Sequence, residues 1–461
     1  MNILSQNYNN LLKKLIFDVF TSNLKDKLDS LNPNEDVFNY VSILSNLDES
    51  LCVIAKECLV NLFESLDYYY SISRERKSKY EIKSHHPRTI LTIFGEITYN
   101  RTFYKSKLTG KNFCYVDRYL GLHKYDYFDP YLKALVVEYA ANNSYPKTAK
   151  YINELIGNRI SIDDKFKYLS RQTIRNIIMS AKFSKVKCET SLDTPSEIHI
   201  IADEKWINTQ NNDKQPVMEK SIVLFESIDN HKLINKQIFS SLDHSFIDDC
   251  LDYIYDKYDI DKINTIYCLG DGATWIKNLA WNFYFDKNTK VISGLDKFHF
   301  KQALHHICQD KNLENILTGY VLNNKKKDFK LCCESLIYSY PNRKDTIESK
   351  MTYILNNWFN INCLYKYNLS CPMESQISHN IADLFTARPK AYSIKTIKQL
   401  TKLRMLYKNN QNIKKLYLNN FNSNEIITIN KEKLNFDIFE RNKQFIPLYE
   451  GKLYHPVLQY F

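Results

Sequence analysis

Apolar positions in the first 82 residues recur at helical spacing. Leu11, Leu12, Leu15, Ile16, Val19 and Phe20 form an i, i+1, i+4, i+5 stripe, continued by Val37, Val41, Leu44, Leu51, Ile54, Leu59, Leu62 and Phe63. This predicts packed helices whose apolar face serves the interior or a dimer contact. The period then changes. Residues 89–94 and 97–104 are rich in β-branched and aromatic side chains, which predicts a hairpin. Gly95-Glu96 is the expected two-residue type II′ turn, and a third short strand is expected over 112–116. The preceding stretch carries Arg74, Arg76, Lys77, Lys79, Lys83 and Arg88. It reads either as a solvated linker or as an arm that contacts phosphates. The hairpin, with Arg88, Arg101 and Lys105, either enters a DNA groove or forms a small structural sheet.

Helix start signals follow. Asp129-Pro130 supplies an N-cap and an N1 proline for a helix over 131–142. Tyr145-Pro146 precedes a second helix ending near Gly157, and Ser170 caps a third over 171–182. Three helices in this order resemble a helix-turn-helix unit. Lys147 and Lys150 on the second, with Arg171, Gln172 and Arg175 on the first turns of the third, are the candidate DNA contacts. The link from 157 to 170 is longer than the usual tight turn, so a plain helical bundle stays open.

A polar stretch over 183–195 ends in Thr194-Pro195, a boundary signal. Beyond it the chain predicts strands at 197–203, 221–227 and 233–239, and a helix at 245–257. A strand running to Gly270, another at 289–293 and a helix from Lys297 complete the series. Three strands, a helix, a strand, then a strand and helix match a ribonuclease H-like fold. The first and fourth strands are neighbours in that fold. Residues 310–365 break the rhythm and read as a helical insertion carrying Lys325-Lys326-Lys327. The expected architecture is therefore an α+β multidomain chain. It comprises a helical region (1–82), a small β-hairpin module (83–128) and a helix-turn-helix-like region (129–190). A ribonuclease H-like α/β catalytic core follows (196–309 and 366–395), interrupted by the helical insertion (310–365). A C-terminal helix and tail (396–461) end the chain.

Composition refines this picture only in part. With 9 Gly and 11 Pro in 461 residues, long helices are favoured over a loop-rich fold. The 34 Tyr, beside many Lys, Asn and Ile, read as the imprint of AT-rich coding. The net charge of +11 favours a polyanionic partner. The 11 Cys include no Cys-x-x-Cys pair, so no structural zinc site is legible and reduced thiols are expected. No secretory leader pattern and no run of about 18 apolar residues is present, so a cytoplasmic, nucleoid-associated protein without a membrane span is expected.

Three carboxylates carry the candidate chemistry. Asp203 ends the apolar run Ile198-His199-Ile200-Ile201-Ala202, Asp271 follows the run ending Tyr267-Cys268-Leu269-Gly270, and Glu374 opens an expected helix. Two adjacent strand ends and one helix can gather three carboxylates. Such a cluster can hold two divalent cations about 3.5–4 Å apart for phosphodiester chemistry. Hard oxygen donors suit Mg²⁺ or Mn²⁺. The 68 residues from Asp203 to Asp271 fit the elements needed to return to the sheet, and the 103 from Asp271 to Glu374 require the insertion. Gly272 permits close backbone approach to a phosphate or metal. Trp275 is either core or a platform for an unpaired base. Asp296 and His299, one turn apart, either support the site or act as an N-cap and a buried histidine.

These motifs occur in an order that resembles the bacterial ISLre-type insertion-sequence transposases, a group also catalogued as an uncharacterised protein family. The chain is more remotely similar to Mutator-like transposases. The resemblance rests on Thr92-Ile93-Phe94-Gly95-Glu96 with Arg101 and Tyr104, on Ala202-Asp203-Glu204, and on Gly270-Asp271-Gly272-Ala273-Thr274-Trp275-Ile276-Lys277. It continues through Leu295-Asp296-Lys297-Phe298-His299, Glu374 with Ser378-His379, and Ala387-Arg388-Pro389-Lys390, spanning roughly residues 85–410. Departures are Trp206, Ser375 and Tyr392, where the family more often has polar, Gly and Trp residues. The resemblance implies a DDE transposase with Asp203, Asp271 and Glu374 as ligands for two Mg²⁺ or Mn²⁺ ions. Asp296 and His299 match the Asp/Cys-x-x-His signature, and Arg388 is a further DNA contact. Expected partners are double-stranded DNA at the element's ends and at the target, with a homo-oligomer forming on DNA. Two other readings compete: another ribonuclease H-like nuclease, and a non-catalytic DNA-binding protein descended from a transposase.

Overall fold

A 36-residue helix, α1 (Val37–Ile72), leads through a single turn of helix, α2 (Arg74–Lys79), into the hairpin β1 (Tyr80–Thr92) and β2 (Gly95–Ser106). This computed structural model describes residues 37–157, 169–186, 190–191, 193–210, 215–285, 289–369, 371–372, 376, 383–385 and 391–422. The chain divides into two compact units, Met1–Asn420 and Phe421–Phe461. The basic stretch expected as a linker or arm is thus helix and strand. Ser73 caps α2 by accepting from the Arg76 N–H, and the 82/83 boundary falls inside β1.

The hairpin turn differs from expectation. Thr92 pairs with Gly95, so the turn residues are Ile93 and Phe94. The Thr92 hydroxyl closes it, accepting from the Phe94 N–H at 3.1 Å and donating to the Gly95 carbonyl at 2.8 Å. Gly95 opens β2 at φ +109°, a conformation costly for any residue with a Cβ. The third strand, β3 (Asn112–Cys114), is shorter than predicted because the chain coils at once into α3 (Tyr115–Tyr119). Leu59, Val60 and Phe63 of α1 pack on Ile90, Ile97 and Tyr99 of the hairpin.

Arg101 does not stand ready for DNA. Its guanidinium turns inward onto Asp117, which also pairs with Arg88 at 2.8 Å. Arg88 further donates to the carbonyls of His123 and Asp126. Two buried cations around one carboxylate knit β1, β2, α3 and the following loop together.

The next three helices are α4 (Pro130–Ala140), α5 (Tyr145–Gly157) and α6 (Arg171–Ser180), and they pack on one another. Both predicted caps form. Asp129 accepts from the Tyr131 and Leu132 N–H groups, and Ser170 accepts from Thr173. Leu132, Val136, Ile152, Ile156, Ile174 and Ile178 are buried among them. Each such side chain contributes roughly 1.5–3 kcal/mol of burial.

The principal sheet comprises β4 (Glu197–Ile207), β5 (Val217–Phe225), β8 (Gln237–Ser241), β9 (Thr265–Gly270) and β10 (Lys290–Leu295). Between β5 and β8 a small ribbon forms from β6 (Ser227–Asp229) and β7 (Lys232–Ile234). The predicted strand over 233–239 is therefore two strands, because Asn235 at φ +49° breaks the extended backbone. The sheet order is β10-β9-β4-β5-β8. β5 runs antiparallel to β4 and to β8, while β9 is parallel to β4 and to β10.

Both faces of the sheet are covered. On one, Ile198, Ile200, Ala202, Ile222 and Leu224 pack under Phe246, Cys250 and Ile254 of α7 (Ser245–Lys257), and under Ile276 of α8 (Thr274–Leu279). On the other, Ile201, Val223, Phe225, Ile238 and Leu269 meet Met405 of α14 (Ile394–Lys408), together with Leu369 and Cys371. His199 lies between Phe225 and Tyr267 of the flanking strands, stacked at 5.0 and 4.9 Å.

Residues 310–365 form four helices, α10 (Lys311–Leu322), α11 (Lys326–Ser339), α12 (Lys344–Asn356) and α13 (Trp358–Lys366). They share one core with α9 (Lys297–Cys308), where Phe300, Leu304 and Ile307 meet Leu317, Val321, Phe329 and Ile347. The helical block thus begins at α9, before residue 310. Lys325, Lys326 and Lys327 are exposed. The last described helix, α15 (Ile413–Asn422), follows α14, which itself crosses the expected 395/396 boundary.

Glu219 on β5 is wholly buried, taking a 2.9 Å hydrogen bond from the Ser240 hydroxyl, with Thr401 of α14 beside it. Burial pushes its carboxyl up to about 7. A raised carboxyl stabilises the fold fully below its unfolded value, and that stabilisation is lost as pH rises through the folded value. The shift is worth roughly 3 kcal/mol. Glu219→Gln should therefore melt near the wild-type temperature at pH 4.5 and above it at pH 8. Thermal melts at the two pH values check this, and an unchanged pH dependence in the variant contradicts a buried neutral Glu219.

Candidate active site

The register of β4 against β9 decides which residues meet. Ala202 lies opposite Gly270 in the parallel pair, so Asp203, inside β4, stands next to Asp271, the first residue past β9; the strand expected to stop at Asp203 runs on to Ile207 because it stays paired with β5. Side chains alternate across a sheet. Asp203, within β4, shares its face with Ile201, on the side covered by α14 and Cys371, while Asp271 begins the turn that leaves β9.

Each carboxylate is held by a backbone N–H close by in sequence. Asp203 Oδ1 accepts the Glu204 N–H at 2.7 Å, and Asp271 Oδ1 accepts the Ala273 N–H at 2.8 Å. The Asp203 carboxyl is pushed up to about 6, first by burial and then by the Asp271 and Glu204 charges, against the Glu204 N–H and His299. A neighbouring like charge disfavours ionisation, and a cation between the two relieves it.

Asp296 and His299 form the expected pair. Asp296 is buried and caps α9, accepting from the Phe298 N–H, and its own N–H donates to the Gly270 carbonyl at 2.7 Å. That bond locks the end of β9 to the start of α9. His299 Nδ1 donates to Asp296 Oδ2 at 2.9 Å, leaving Nε2 for another partner. This bond raises the imidazole's pKa; burial opposes it, and the charges of Asp296, Asp271 and Asp203 reinforce it. The histidine therefore lies within electrostatic reach of both the Asp203 and Asp271 carboxylates.

Trp275 is partly buried against the α7 side of the sheet. It donates from Nε1 to Glu204, packs edge-on to Phe246, and lies 5.1 Å beneath the Lys220 ammonium. These contacts favour the core reading over a free stacking platform. Gly272 takes φ +88°, and a Cβ there would lie 2.8 Å from Asn357 Oδ1 and from Leu295 Cδ1. The glycine is thus required by packing against α9's block as well as by its dihedral.

Glu374, Ser378, His379 and Arg388 lie outside the described residues. Their flanks do not. Leu369 and Cys371 pack on the sheet face that bears Asp203, and Gln376 accepts a 3.1 Å hydrogen bond from Lys236. Among the described residues, no three His, Cys, Asp or Glu side chains gather closely enough to hold a metal. The donor chemistry of Asp203 and Asp271 nevertheless fits a hard divalent cation. Of the helical candidates, Lys147, Lys150, Arg171 and Gln172 are exposed, Lys150 near Glu154 and Gln172 bonded to Asn176. Arg175 is half-buried.

Two contacts escaped the sequence. Tyr353 of α12 donates from its hydroxyl to the Asp271 carbonyl, and Asn357 meets Gly272. Only their i, i+4 spacing on a helix far from the motifs hints at a shared face.

A family model described as Uncharacterised protein family (UPF0236) matches residues 34–420. The chain belongs to that family. A UPF0236 protein of Caldanaerobacter subterraneus subsp. tengcongensis, TTE2489, is 26% identical over 406 residues, covering 84% of this chain and 82% of the relative. A second from the same bacterium, TTE1650/TTE2708, is 25% identical over 445 residues, covering 90% and 84%. A third, 25% identical over 429 residues and covering 88% and 87%, has a name that joins eleven such labels, from TTE0033 to TTE2212. No helix among the described residues of this UPF0236 chain is long and apolar enough to cross a membrane.

Gly272→Ala should destabilise the protein by roughly 1–3 kcal/mol, the usual cost of a residue forced into a sparse backbone region. Urea denaturation monitored by tryptophan fluorescence measures it. Wild-type stability in that variant contradicts the tight Gly272–Asn357 packing.

Proposed function

We propose that this protein is a DDE transposase, which binds the terminal inverted repeats of an insertion sequence and catalyses DNA strand cleavage and strand transfer. The observation that carries the reading is the placement of Asp203, inside β4, beside Asp271, at the end of its parallel neighbour β9 in a five-stranded sheet. The order β10-β9-β4-β5-β8, with three antiparallel strands and two parallel ones, is the order a ribonuclease H-like core requires. The four-helix stretch 310–365 fits an insertion ahead of Glu374. Relatives carried at many loci of one bacterium fit a mobile element.

Asp203, Asp271 and Glu374 would hold Mg²⁺ or Mn²⁺. Two such ions would polarise the scissile phosphate and acidify the attacking oxygen, first of water and then of a DNA 3′-hydroxyl. The protein's own contribution is positioning and charge. Asp296 orients His299 and supports its positive charge, and Nε2, which bonds no described residue, can donate to a DNA phosphate. The exposed Lys147, Lys150, Arg171 and Gln172 supply the DNA-facing surface of α5 and α6. A cytoplasmic, nucleoid-associated location and an oligomer formed on DNA belong to the same reading.

Asp203→Asn, Asp271→Asn and Glu374→Gln should each abolish Mg²⁺-dependent cleavage of DNA carrying the element's ends. End-binding and the circular dichroism spectrum should stay near wild type. A variant that cuts at the wild-type rate removes its residue from the site, and a wild-type protein that never cuts overturns the reading.

A further inference from the structure

The helical block reaches the candidate site through one turn of polypeptide. Asp271, Gly272 and Ala273 leave β9 in a tight turn in which the Ala273 N–H holds Asp271 Oδ1 at 2.8 Å. The orientation of the carboxylate is therefore the orientation of that turn. Tyr353 grips it from outside, its hydroxyl donating to the Asp271 carbonyl at 2.5 Å. One helical turn later, Asn357 is 2% exposed and anchored by its own Nδ2, which donates to the Tyr353 carbonyl at 2.8 Å. Its Oδ1 is buried, accepts no hydrogen bond from any described residue, and faces Gly272 so closely that no Cβ fits between them. A buried carbonyl oxygen left without a donor is unfavourable. Its retention at this spot marks a close fit imposed on the turn.

We infer that Tyr353 and Asn357 are positioning residues that set the Asp271 carboxylate for cation binding. The helical block between α9 and the Glu374 segment is thereby a working part of the site. This rests on the transposase reading for its purpose, and on the turn geometry alone for its mechanism.

The test uses the full-length protein and Tyr353→Phe, which removes only the hydroxyl, with Asn357→Ala as a second variant. Hydrogen exchange by mass spectrometry reads the peptide spanning 270–275. Mn²⁺ binding is followed by electron paramagnetic resonance. Tyr353→Phe should speed exchange of that peptide about tenfold and weaken Mn²⁺ binding several-fold, with the melting temperature close to wild type. Asn357→Ala should act in the same direction. Wild-type exchange and wild-type Mn²⁺ binding in Tyr353→Phe overturn the inference and leave the transposase reading standing. Faster exchange with unchanged Mn²⁺ binding overturns the link from the turn to the cation. Absence of Mn²⁺ binding by the wild-type protein overturns the cation-site reading, and this inference with it.

Discussion

The parallel pairing of β4 with β9 is the constraint on which the rest depends. It fixes Ala202 opposite Gly270, and so fixes Asp203 beside Asp271. A slip of one residue would send Asp203 to the opposite face of the sheet, because side chains alternate with a period of two. The register is specified on both faces at once. Ile198, Ile200 and Ala202 must meet one set of helices, while Ile201 must meet Leu269 and Met405 on the other. The stack of His199 between Phe225 and Tyr267 ties the same three strands side by side.

Around this pair the other parts attach by specific links. The end of β9 is bonded to the start of α9 through the Asp296 N–H, which carries the Asp296–His299 pair to the carboxylates. Helix α14 bridges in the other direction. Its Met405 packs on the sheet, Gln399 donates to the carbonyls of Ile178 and Ala181, and Arg404 reaches Asn142 and Asp383. Helix α14 thereby links the three-helix unit to the sheet. If α5 and α6 hold DNA, α14 is the element through which its position is registered against Asp203.

Much of this was legible where the signal is local. The caps at Asp129, Ser170 and Asp296 lie in the few residues around each helix start, and each forms as expected. The end of β9 before Asp271 was legible because its apolar run stops at a carboxylate, whereas β4 runs past Asp203 to Ile207 because those residues stay paired with β5. What stayed hidden depends on contacts distant in sequence. Arg101 reads as a surface cation until Asp117, sixteen residues on, turns it inward. The hairpin turn sits at Ile93-Phe94 because a threonine hydroxyl closes it, against the ordinary preference for Gly in such turns. Tyr353 is eighty-two residues from Asp271, and no local pattern links them.

Glu374 follows Cys371, which packs on the sheet face that carries Asp203. The most direct measurement is anomalous diffraction from crystals of the full-length protein grown with Mn²⁺. The account predicts anomalous density between the carboxylates of Asp203 and Asp271, with Glu374 completing the coordination. Mn²⁺ bound elsewhere, or Glu374 turned away from an empty Asp203–Asp271 pair, would contradict it.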